Sequence, residues 1–482
     1  MLQFIEFRTL RPAPTVKPAK RSTAMKSLIK SVTNGKSVLI LGYGREGQST
    51  LRLLDQCCPH LPLTVADADP LILQKHPELN NEKLTVITGP GYLDQLNHFD
   101  LVIKSPGISL FRSGAAFNPD RISSQTDLFL RAYAPRMAGI TGTKGKSTTS
   151  SLLHHIIRNY TSDTLLAGNI GVPLFDLVDK ITPATRIISE LSSHQLEYIT
   201  RAPAISILLN LFQEHLDHYA SFRHYQLAKF QIALKQRFND AFIYDGSDEN
   251  ILKLMEELRL QGSKFPVYTS EFPGDGAGIS GNHIVLRNKG AERILLAAEH
   301  KSKLAGTHNL RNIISAASAA SLMNIPAAAI AEGVATFTPL EHRIEYVGNF
   351  SGKIFYNDSI STIPEAAMAA VATLKNVDTL ILGGFDRGID YTGLADFISK
   401  SGISSIILTG PAGERIFGLL RQFKQCNPSA FFIREFELAV EKAVSVTPSG
   451  GICLLSPAAS SYDRFKNFEE RGRMFKELVS RK

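Results

Sequence analysis

The sequence has little cysteine and no long hydrophobic run. No stretch of the 482 residues approaches the roughly 18–20 consecutive apolar residues of a membrane-spanning helix, so we predict no membrane span. The four cysteines, Cys57, Cys58, Cys426 and Cys453, have neither the spacing of a zinc site nor that of a disulfide framework. Because such cysteine usage is typical of a reducing compartment, we expect a cytoplasmic protein.

Positive charge is also scarce outside the N-terminus. The formal net charge is +8, but residues 1–30 hold seven basic side chains and one acidic side chain, which leaves about +2 for the remaining 452 residues. The body of the chain therefore does not indicate a nucleic-acid-binding face. The basic segment lacks the apolar core of a secretory signal, and we interpret it as a disordered tail. An organelle transit peptide, or an extension upstream of a natural start at Met25, is the alternative.

The remaining chain has the pattern of an α/β protein. At roughly 100–200 residues per domain, its length favours three domains. After residue 35, short β-branched apolar runs that end in Gly, Ser or Asp alternate with longer helical stretches, which indicates largely parallel sheets. Strands are predicted at residues 37–41, 63–66, 101–103, 187–189, 205–209, 380–382, 406–408 and 452–455. An Ala-rich helix is predicted over 304–320, and loops or boundaries at 272–281 and 338–339.

Two glycine-rich motifs each follow a predicted strand and precede a predicted helix. Gly42, Gly44 and Gly47 form G-x-G-x-x-G, and Asp67 ends the next strand, a pattern that favours a dinucleotide or nucleotide sugar. A tight turn without a ligand is the alternative. The second motif, residues 140–149, resembles a Walker loop but has Ile140 where that loop has its first glycine. Its glycines still free backbone amides for a phosphate, and the lysine and serine that follow suit phosphates and Mg²⁺.

Three further side chains are candidates for a metal site. Glu190 and His215 follow two predicted strands, and a carboxylate and an imidazole in such places suit a Mg²⁺ site beside a phosphate loop. A capping glutamate and a surface histidine are the alternatives. Lys229 shares a helix face with Tyr225, Ile232 and Ala233. A buried amine could react with CO₂ to form a carbamate, but the spacing alone favours a surface lysine with a buried stem.

Together, the motifs of this chain resemble the Mur ligase family, the ATP-dependent amide-forming enzymes of peptidoglycan precursor synthesis. The matching strings, spread over about residues 37–475, are GTKGKST at 142–148, GNIG at 168–171, ELSSHQLE at 190–197, EHLDHY at 214–219, HNLRN at 308–312, HR at 342–343, NDS at 357–359, and LSP at 455–457 through FEERG at 468–472. The order of the strings is most similar to the glutamate-adding members.

The resemblance implies an α/β protein of three domains, each built on a largely parallel sheet. These are a Rossmann-like N-terminal domain for the UDP part of the substrate, a P-loop-like central ATPase domain that binds Mg²⁺, and a Rossmann-like C-terminal domain that binds ATP and glutamate. We place the tail at 1–30 and the three domains at 31–128, 129–339 and 340–482.

The resemblance also implies roles for individual residues. For ATP these are Gly142, Thr143, Lys144, Gly145, Lys146, Ser147, Thr148, Asn309, Asn312, Arg343 and Asp358. For the UDP-substrate and glutamate they are Gly42, Arg45, Asp67, Ser105, Gly107, Asn169, Ser192, Gln195, Thr362, Arg387, Ser461 and Phe468. The implied catalytic residues are Lys146, Glu190, His215 and Lys229. The ligands of two Mg²⁺ sites are Ser147, Glu190, His215 and Lys229, the lysine being a carbamate.

The reaction implied is the addition of D-glutamate to UDP-N-acetylmuramoyl-L-alanine through an acyl-phosphate, by a cytoplasmic monomer that serves cell-wall synthesis, cell shape and division. Two positions depart from the family pattern, since Ile360 and Arg387 stand where lysines are expected. A variant that adds L-glutamate is therefore an alternative. More distant alternatives are a ligase similar to folylpolyglutamate synthase, an oxidoreductase built on the first glycine motif, and a nucleotide-binding switch without enzymatic activity.

Overall fold

The computed structural model describes residues 23–481, apart from 115–116, 169–171, 214–217, 301, 305, 339–340, 375 and 424–427. The chain forms two compact units, and the first ends at Thr338. This division falls within one residue of the boundary predicted between the second and third domains. No helix in the described part of the chain has the length and apolar character needed to cross a bilayer.

The first unit begins with a five-stranded parallel sheet in the order β3-β2-β1-β4-β5. Its elements are α1 (Thr23–Thr33), β1 (Val38–Leu41), α2 (Arg45–Cys57), β2 (Leu63–Asp67), α3 (Ile72–Lys75), β3 (Leu84–Thr88), β4 (Leu101–Lys104), α4 (Leu110–Ser113), β5 (Ile122–Ser123) and α5 (Gln125–Tyr133). All residues of the central strand β1 are buried, as expected of a parallel strand that is covered on both faces.

Helix α1 begins inside the segment that the sequence indicated as a tail. Met25 and Ile29, one helical turn apart, are fully buried in the core of this unit. Ordered structure therefore starts before residue 31. The helix was not predicted because basic residues stand between the apolar residues of its buried face in the sequence. The predicted boundary at 128–129 also falls inside a helix, α5.

The rest of the first unit is a nine-stranded sheet in the order β14-β13-β12-β11-β10-β9-β6-β8-β7. Its elements are β6 (Met137–Thr141), α6 (Lys146–Tyr160), β7 (Thr164–Gly168), β8 (Arg186–Glu190), α7 (Ser193–Leu196), β9 (Ile205–Leu208), α8 (Phe222–Leu234), β10 (Ala241–Asp245), α9 (Glu249–Glu257), β11 (Ser263–Glu271), β12 (Gly276–Ser280), β13 (His283–Asn288), β14 (Ala291–Ala297), α10 (Thr307–Leu322) and α11 (Ala327–Thr336). The β12–β13 and β13–β14 pairs are antiparallel, and the other pairs are parallel.

The prediction of a loop over 272–281 is wrong for its second half, which forms strand β12. A Cβ at Gly276 would lie 2.5 Å from the carbonyl oxygen of Pro266, and one at Gly278 would lie 2.6 Å from the ring of Phe272. These glycines therefore allow close packing within a sheet, whereas the sequence suggested that they mark a loop.

The second unit is a six-stranded sheet in the order β15-β16-β20-β17-β18-β19. Its elements are β15 (Glu345–Phe350), β16 (Lys353–Asn357), α12 (Pro364–Leu374), β17 (Val377–Gly383), α13 (Thr392–Ser399), β18 (Ser405–Thr409), α14 (Gly410–Leu420), β19 (Ser429–Phe432), α15 (Phe436–Val446), β20 (Ile452–Leu455) and α16 (Phe468–Ser480). Only the β15–β16 pair of this sheet is antiparallel. The predicted α/β class and all eight predicted strands are confirmed.

Candidate active site

The phosphate loop connects the carboxyl end of β6 to the amino end of α6. Its two glycines adopt positive φ angles, +147° at Gly142 and +86° at Gly145. A Cβ at Gly145 would lie 2.6 Å from Oδ1 of Asn312, and one at Gly142 would lie 3.0 Å from Cβ of Leu209. Both positions therefore need glycine for their backbone angle and for their close neighbours.

The segment that follows β9 holds the phosphate loop through hydrogen bonds. The amide of Thr143 donates to the carbonyl of Asn210 at 3.0 Å, and the amide of Lys144 donates to its Oδ1 at 2.8 Å. The Thr143 hydroxyl accepts from the amide of Phe212 at 2.9 Å. Thr143 and Lys144 thus give the loop its shape through their backbone and hydroxyl groups. Ser147 is buried and Thr148 is half-buried in the first turn of α6.

Two lysines converge on one carbonyl oxygen of this loop. Nζ of Lys146 lies 3.0 Å from the Gly142 carbonyl oxygen, and Nζ of Lys229, on α8, lies 2.9 Å from the same atom. Lys229 is 2 % exposed, and its ammonium lies 4.9 Å from the centre of the Tyr225 ring. The surface position favoured by its spacing is therefore wrong.

Next to these lysines is a cleft of about 360 Å³, which is lined by residues from both sheet regions of the first unit. Five residues singled out in the sequence line it, namely Arg45, Lys146, Ser192, Gln195 and Lys229. The structure therefore brings Arg45 of the first glycine motif, the phosphate-loop lysine, two residues after β8 and a lysine of α8 to a single cavity.

Ser192 and Gln195 also have structural tasks. They form a capping box at the start of α7, in which the Ser192 hydroxyl accepts from the Gln195 amide at 3.2 Å. The side-chain amide of Gln195 donates to Glu46 at 2.9 Å, which joins the two sheets. Burial raises the pKa of Glu46.

The first glycine motif is packed as tightly as the second. A Cβ at Gly47 would lie 2.0 Å from the carbonyl oxygen of Gly42, which also accepts from the Ser105 hydroxyl at 2.9 Å. Asp67 accepts from the amide of Tyr43 at 2.7 Å. Ser105 and Asp67 therefore brace the loop, whereas Gly107 has open space around it.

Glu190 is well placed for a metal beside the phosphate loop. It ends β8 and lies opposite Ile140 in the neighbouring strand β6, two residues before the loop begins. Its carboxylate is 2 % exposed and Ser147 is 4 % exposed, and oxygen donors of this kind suit Mg²⁺. His215 and Asn169 lie outside the described residues. Within the described ranges, no three His, Cys, Asp or Glu side chains form a group that could hold a metal.

A buried ionic network between the two sheets was not predicted from the sequence. Nζ of Lys104 lies 3.2 Å from Oε2 of Glu197, whose Oε1 lies 2.8 Å from Nε2 of His218. Burial lowers the pKa of Lys104, and the Glu197 carboxylate opposes that change. Lys104 ends β4, whose other three residues are apolar, and a lysine in that place is the local sign of this network in the sequence.

The residues predicted to bind the substrate glutamate lie in the second unit, three of them on loops at the carboxyl ends of its strands. Thr362 follows β16, Arg387 follows β17 and Ser461 follows β20, while Phe468 begins α16. The Arg387 guanidinium donates to the Thr362 carbonyl at 2.9 Å. The Phe468 carbonyl accepts from the hydroxyl of Ser359 at 2.8 Å.

The remaining residues predicted for ATP lie on both units. On α10 of the first unit, Asn312 is buried and donates to Oδ1 of Asn309 at 3.2 Å. In the second unit, Arg343 is exposed, and Asp358 accepts from the Ser456 hydroxyl at 2.7 Å. Burial raises the pKa of Asp358 to about 6.

Comparison with known proteins gives three findings. Residues 140–320 match the family model of the Mur ligase middle domain. The chain is 33 % identical to the UDP-N-acetylmuramoylalanine–D-glutamate ligase of Desulfitobacterium hafniense, over 92 % of this chain and 98 % of the relative. It is 31 % identical to the ligase of the same name from Ligilactobacillus salivarius, over 93 % and 96 %. MurF from Acinetobacter baumannii has the same fold, with a TM-score of 0.52 at 12 % identity over 96 % of this chain and all of that one.

Proposed function

Because the chain belongs to the Mur ligase family, we propose that it is the ATP-dependent, ADP-forming ligase that joins D-glutamate to UDP-N-acetylmuramoyl-L-alanine in peptidoglycan precursor synthesis. The observation that carries the proposal is the cleft in which Arg45, Ser192 and Gln195 share a wall with Lys146 and Lys229. That cavity suits a long anionic substrate whose carboxyl end must meet a phosphate. The names of the relatives favour D-glutamate over the L-glutamate variant.

The chemistry requires a charge to be neutralised while a phosphoryl group moves from ATP to a carboxylate. Lys146 and the backbone amides of Gly145 to Ser147 are the groups we assign to the phosphates, because the amides of Thr143 and Lys144 already donate to Asn210. Lys146 is already aimed at the loop, since its ammonium lies within 3.0 Å of two loop carbonyl oxygens. When bound, Mg²⁺ would neutralise phosphate charge, and Ser147 and Glu190 are the described residues that would hold it.

We assign the N-terminal loops to the UDP part of the substrate. Arg45 supplies a cation at the cleft, and Gly107 lies in open space where a ligand can approach the backbone. Gly42, Asp67 and Ser105 act by shaping the loop, as their internal hydrogen bonds and close contacts indicate. Asn169, for which the structure gives no position, is assigned to the same substrate from its motif.

Lys229 is proposed to be carbamylated and to bind a second Mg²⁺ together with His215. Its burial and its place on the cleft, beside the phosphate-loop lysine, support this assignment. In that reaction the ammonium first releases one proton to the solvent, and the neutral nitrogen then bonds to the carbon of CO₂ and releases a second proton. The cation thereby becomes an anion. An anion at this position suits a metal, whereas an ammonium does not.

In the second unit, we assign Arg343 and Asp358 to ATP, and Thr362, Arg387, Ser461 and Phe468 to glutamate. We further propose that Asn309 and Asn312 of the first unit contact ATP and that the enzyme acts as a cytoplasmic monomer. Size-exclusion chromatography with light scattering tests the oligomeric state directly, since a monomer has a mass near 52.9 kDa.

The deciding assay is phosphate release with UDP-N-acetylmuramoyl-L-alanine and ATP, with D-glutamate and L-glutamate in parallel reactions. We expect turnover with D-glutamate, and a Lys146→Ala enzyme serves as the control for contaminating ATPases. Turnover with L-glutamate alone would favour the variant suggested by Ile360 and Arg387. Absence of turnover with either enantiomer would contradict the glutamate assignment.

A further inference from the structure

Arg471 is a buried cation of the second unit to which neither the motifs nor the proposed mechanism gives a task. It lies on the first turn of α16 and is 2 % exposed. Its guanidinium donates to the hydroxyl of Ser359 at 3.0 Å and to the Ser359 carbonyl at 2.9 Å. It also reaches the carbonyl oxygens of Ala459 at 3.1 Å, Ser460 at 3.3 Å and Gly383 at 3.5 Å.

These acceptors lie at the carboxyl ends of three strands: Ser359 follows β16, Gly383 ends β17, and Ala459 and Ser460 follow β20. The loop of Ser359 continues to Thr362, the loop of Gly383 continues to Arg387, and the loop of Ser460 continues to Ser461. One guanidinium therefore touches each loop that carries a residue assigned to glutamate. The fourth such residue, Phe468, begins the helix on which Arg471 itself lies.

The loops hold conformations that need this support. Ala458 has a φ of +56°, which is unusual for a residue with a side chain. Gly384 has a φ of +136°, and a Cβ there would lie 2.3 Å from the Ser460 carbonyl oxygen. The carbonyl oxygens of Ser359, Ala459 and Ser460 all accept from one guanidinium, whose several N–H groups in one plane can bond to them at the same time.

Filling the interior with an arginine is unfavourable in free energy, because its charge must be removed from water. Burial lowers the pKa of Arg471 to about 10, so the guanidinium stays charged at neutral pH, and the carboxylate of Asp463 opposes the shift. Burying a charge costs free energy unless its hydrogen bonds are made, and an apolar side chain of similar size would often stabilise the fold as well. The position of the bonded loops is what an apolar residue could not supply.

We propose that Arg471 is the positioning residue of the glutamate site, because it fixes the three loops that present Thr362, Arg387 and Ser461 to the incoming amino acid. The inference rests on the proposed function. It predicts an effect on the glutamate step that is larger than the effect on the other substrates.

The test compares Arg471→Met, Arg471→Lys and Ser359→Ala with the wild type in steady-state kinetics for all three substrates. Arg473→Met is the matched control, because Arg473 lies on the same helix and is exposed. For Arg471→Met we expect the KM for glutamate to rise at least about tenfold and the KM for UDP-N-acetylmuramoyl-L-alanine to change less than about threefold. Arg471→Lys keeps the positive charge but lacks the planar set of guanidinium N–H donors. For this variant we expect an intermediate rise in the KM for glutamate.

Equal rises of all three KM values, or no rise in the KM for glutamate, would refute a positioning role. If Arg471→Met does not fold, Ser359→Ala decides, since it removes the hydroxyl that accepts from Arg471 and donates to the Phe468 carbonyl, and leaves the buried charge bonded to the Ser359 carbonyl and to the other two strand ends. We expect Ser359→Ala to raise the KM for glutamate by about threefold or more, and an unchanged value would overturn the inference. A wild-type enzyme that does not use glutamate would instead contradict the proposed function.

Discussion

Asp358 offers a quantitative test of the link between stability and function in the second unit. Its carboxyl is 2 % exposed and accepts from the Ser456 hydroxyl at 2.7 Å and from the Ile344 amide at 3.1 Å. Burial nevertheless raises its pKa from an ordinary 3.8 to about 6, so desolvation outweighs these hydrogen bonds. The folded protein therefore keeps a proton on this carboxyl that the unfolded chain releases.

The sign of the pH dependence follows from this difference. Between pH 4 and 6 the folded state binds more protons than the unfolded state, so the stability supplied by this group is lost as the pH rises through the folded pKa. Asp358→Asn mimics the protonated side chain and keeps an oxygen for the Ile344 amide. We expect it to raise the free energy of unfolding by about 1.5 kcal/mol at pH 5 and about 3 kcal/mol at pH 8, as upper limits from the two pKa values.

Hydrogen exchange of peptides from β16 and β20, corrected for the intrinsic rate at each pH, measures opening of this unit separately from the first one. Asp390→Asn is the control, because the Thr392 hydroxyl and amide lower the pKa of Asp390, and removal of that carboxylate should change the stability in the opposite direction. A pH-independent difference, or an Asp358→Asn protein that is less stable than the wild type at pH 8, would refute the reasoning. Ligase activity should fall at least about tenfold in Asp358→Asn, since we assign the ionised carboxylate to ATP.

Two further predictions concern the lysines of the cleft, with the exposed Lys235 at the end of α8 as the matched control for both. Lys146→Ala should lose at least about 10³-fold of the ligation rate, because the charge that faces the migrating phosphoryl group is removed. Near-normal product formation by a folded Lys146→Ala enzyme would contradict this role. Lys229→Ala should be nearly inactive and partly restored by formate or acetate, which can place an anion in the vacated space. Fully active wild-type enzyme whose Lys229 is unmodified by mass spectrometry of the intact protein would be evidence against the carbamate.

Much of the fold could be predicted because its information is local. Each predicted strand is a short apolar run rich in β-branched residues, and a residue of another kind ends the run, as Gly42 does after Leu41. The phosphate loop was recognisable because its glycines and lysine are contiguous in the chain. Strand β12 was missed because the same residue type, glycine, serves both in loops and where backbones approach closely within a sheet.

The buried cations could not be predicted because their environment is assembled from distant segments. Helix α8 is buried on several sides, so its apolar residues form no single stripe that would show Lys229 to lie inside. Arg471 meets Ser359, which is 112 residues away, through a carbonyl group that any residue would supply. The spacing of residues within a helix therefore predicts neither the burial of Lys229 nor the contact of Arg471 with Ser359.

The departure from the family pattern at Ile360 can be weighed against this geometry. The loop that carries Ile360 is held by its backbone: the Ile360 amide donates to the His342 carbonyl at 3.1 Å, and the Asp358 amide donates to the Leu455 carbonyl at 2.7 Å. Arg471 fixes the carbonyl of Ser359 from the other side. An isoleucine in place of a lysine therefore removes a charge and leaves the course of the loop unchanged. Because the handedness of the glutamate that fits is set by where the loops present their donors, this departure is compatible with the D-glutamate of the relatives.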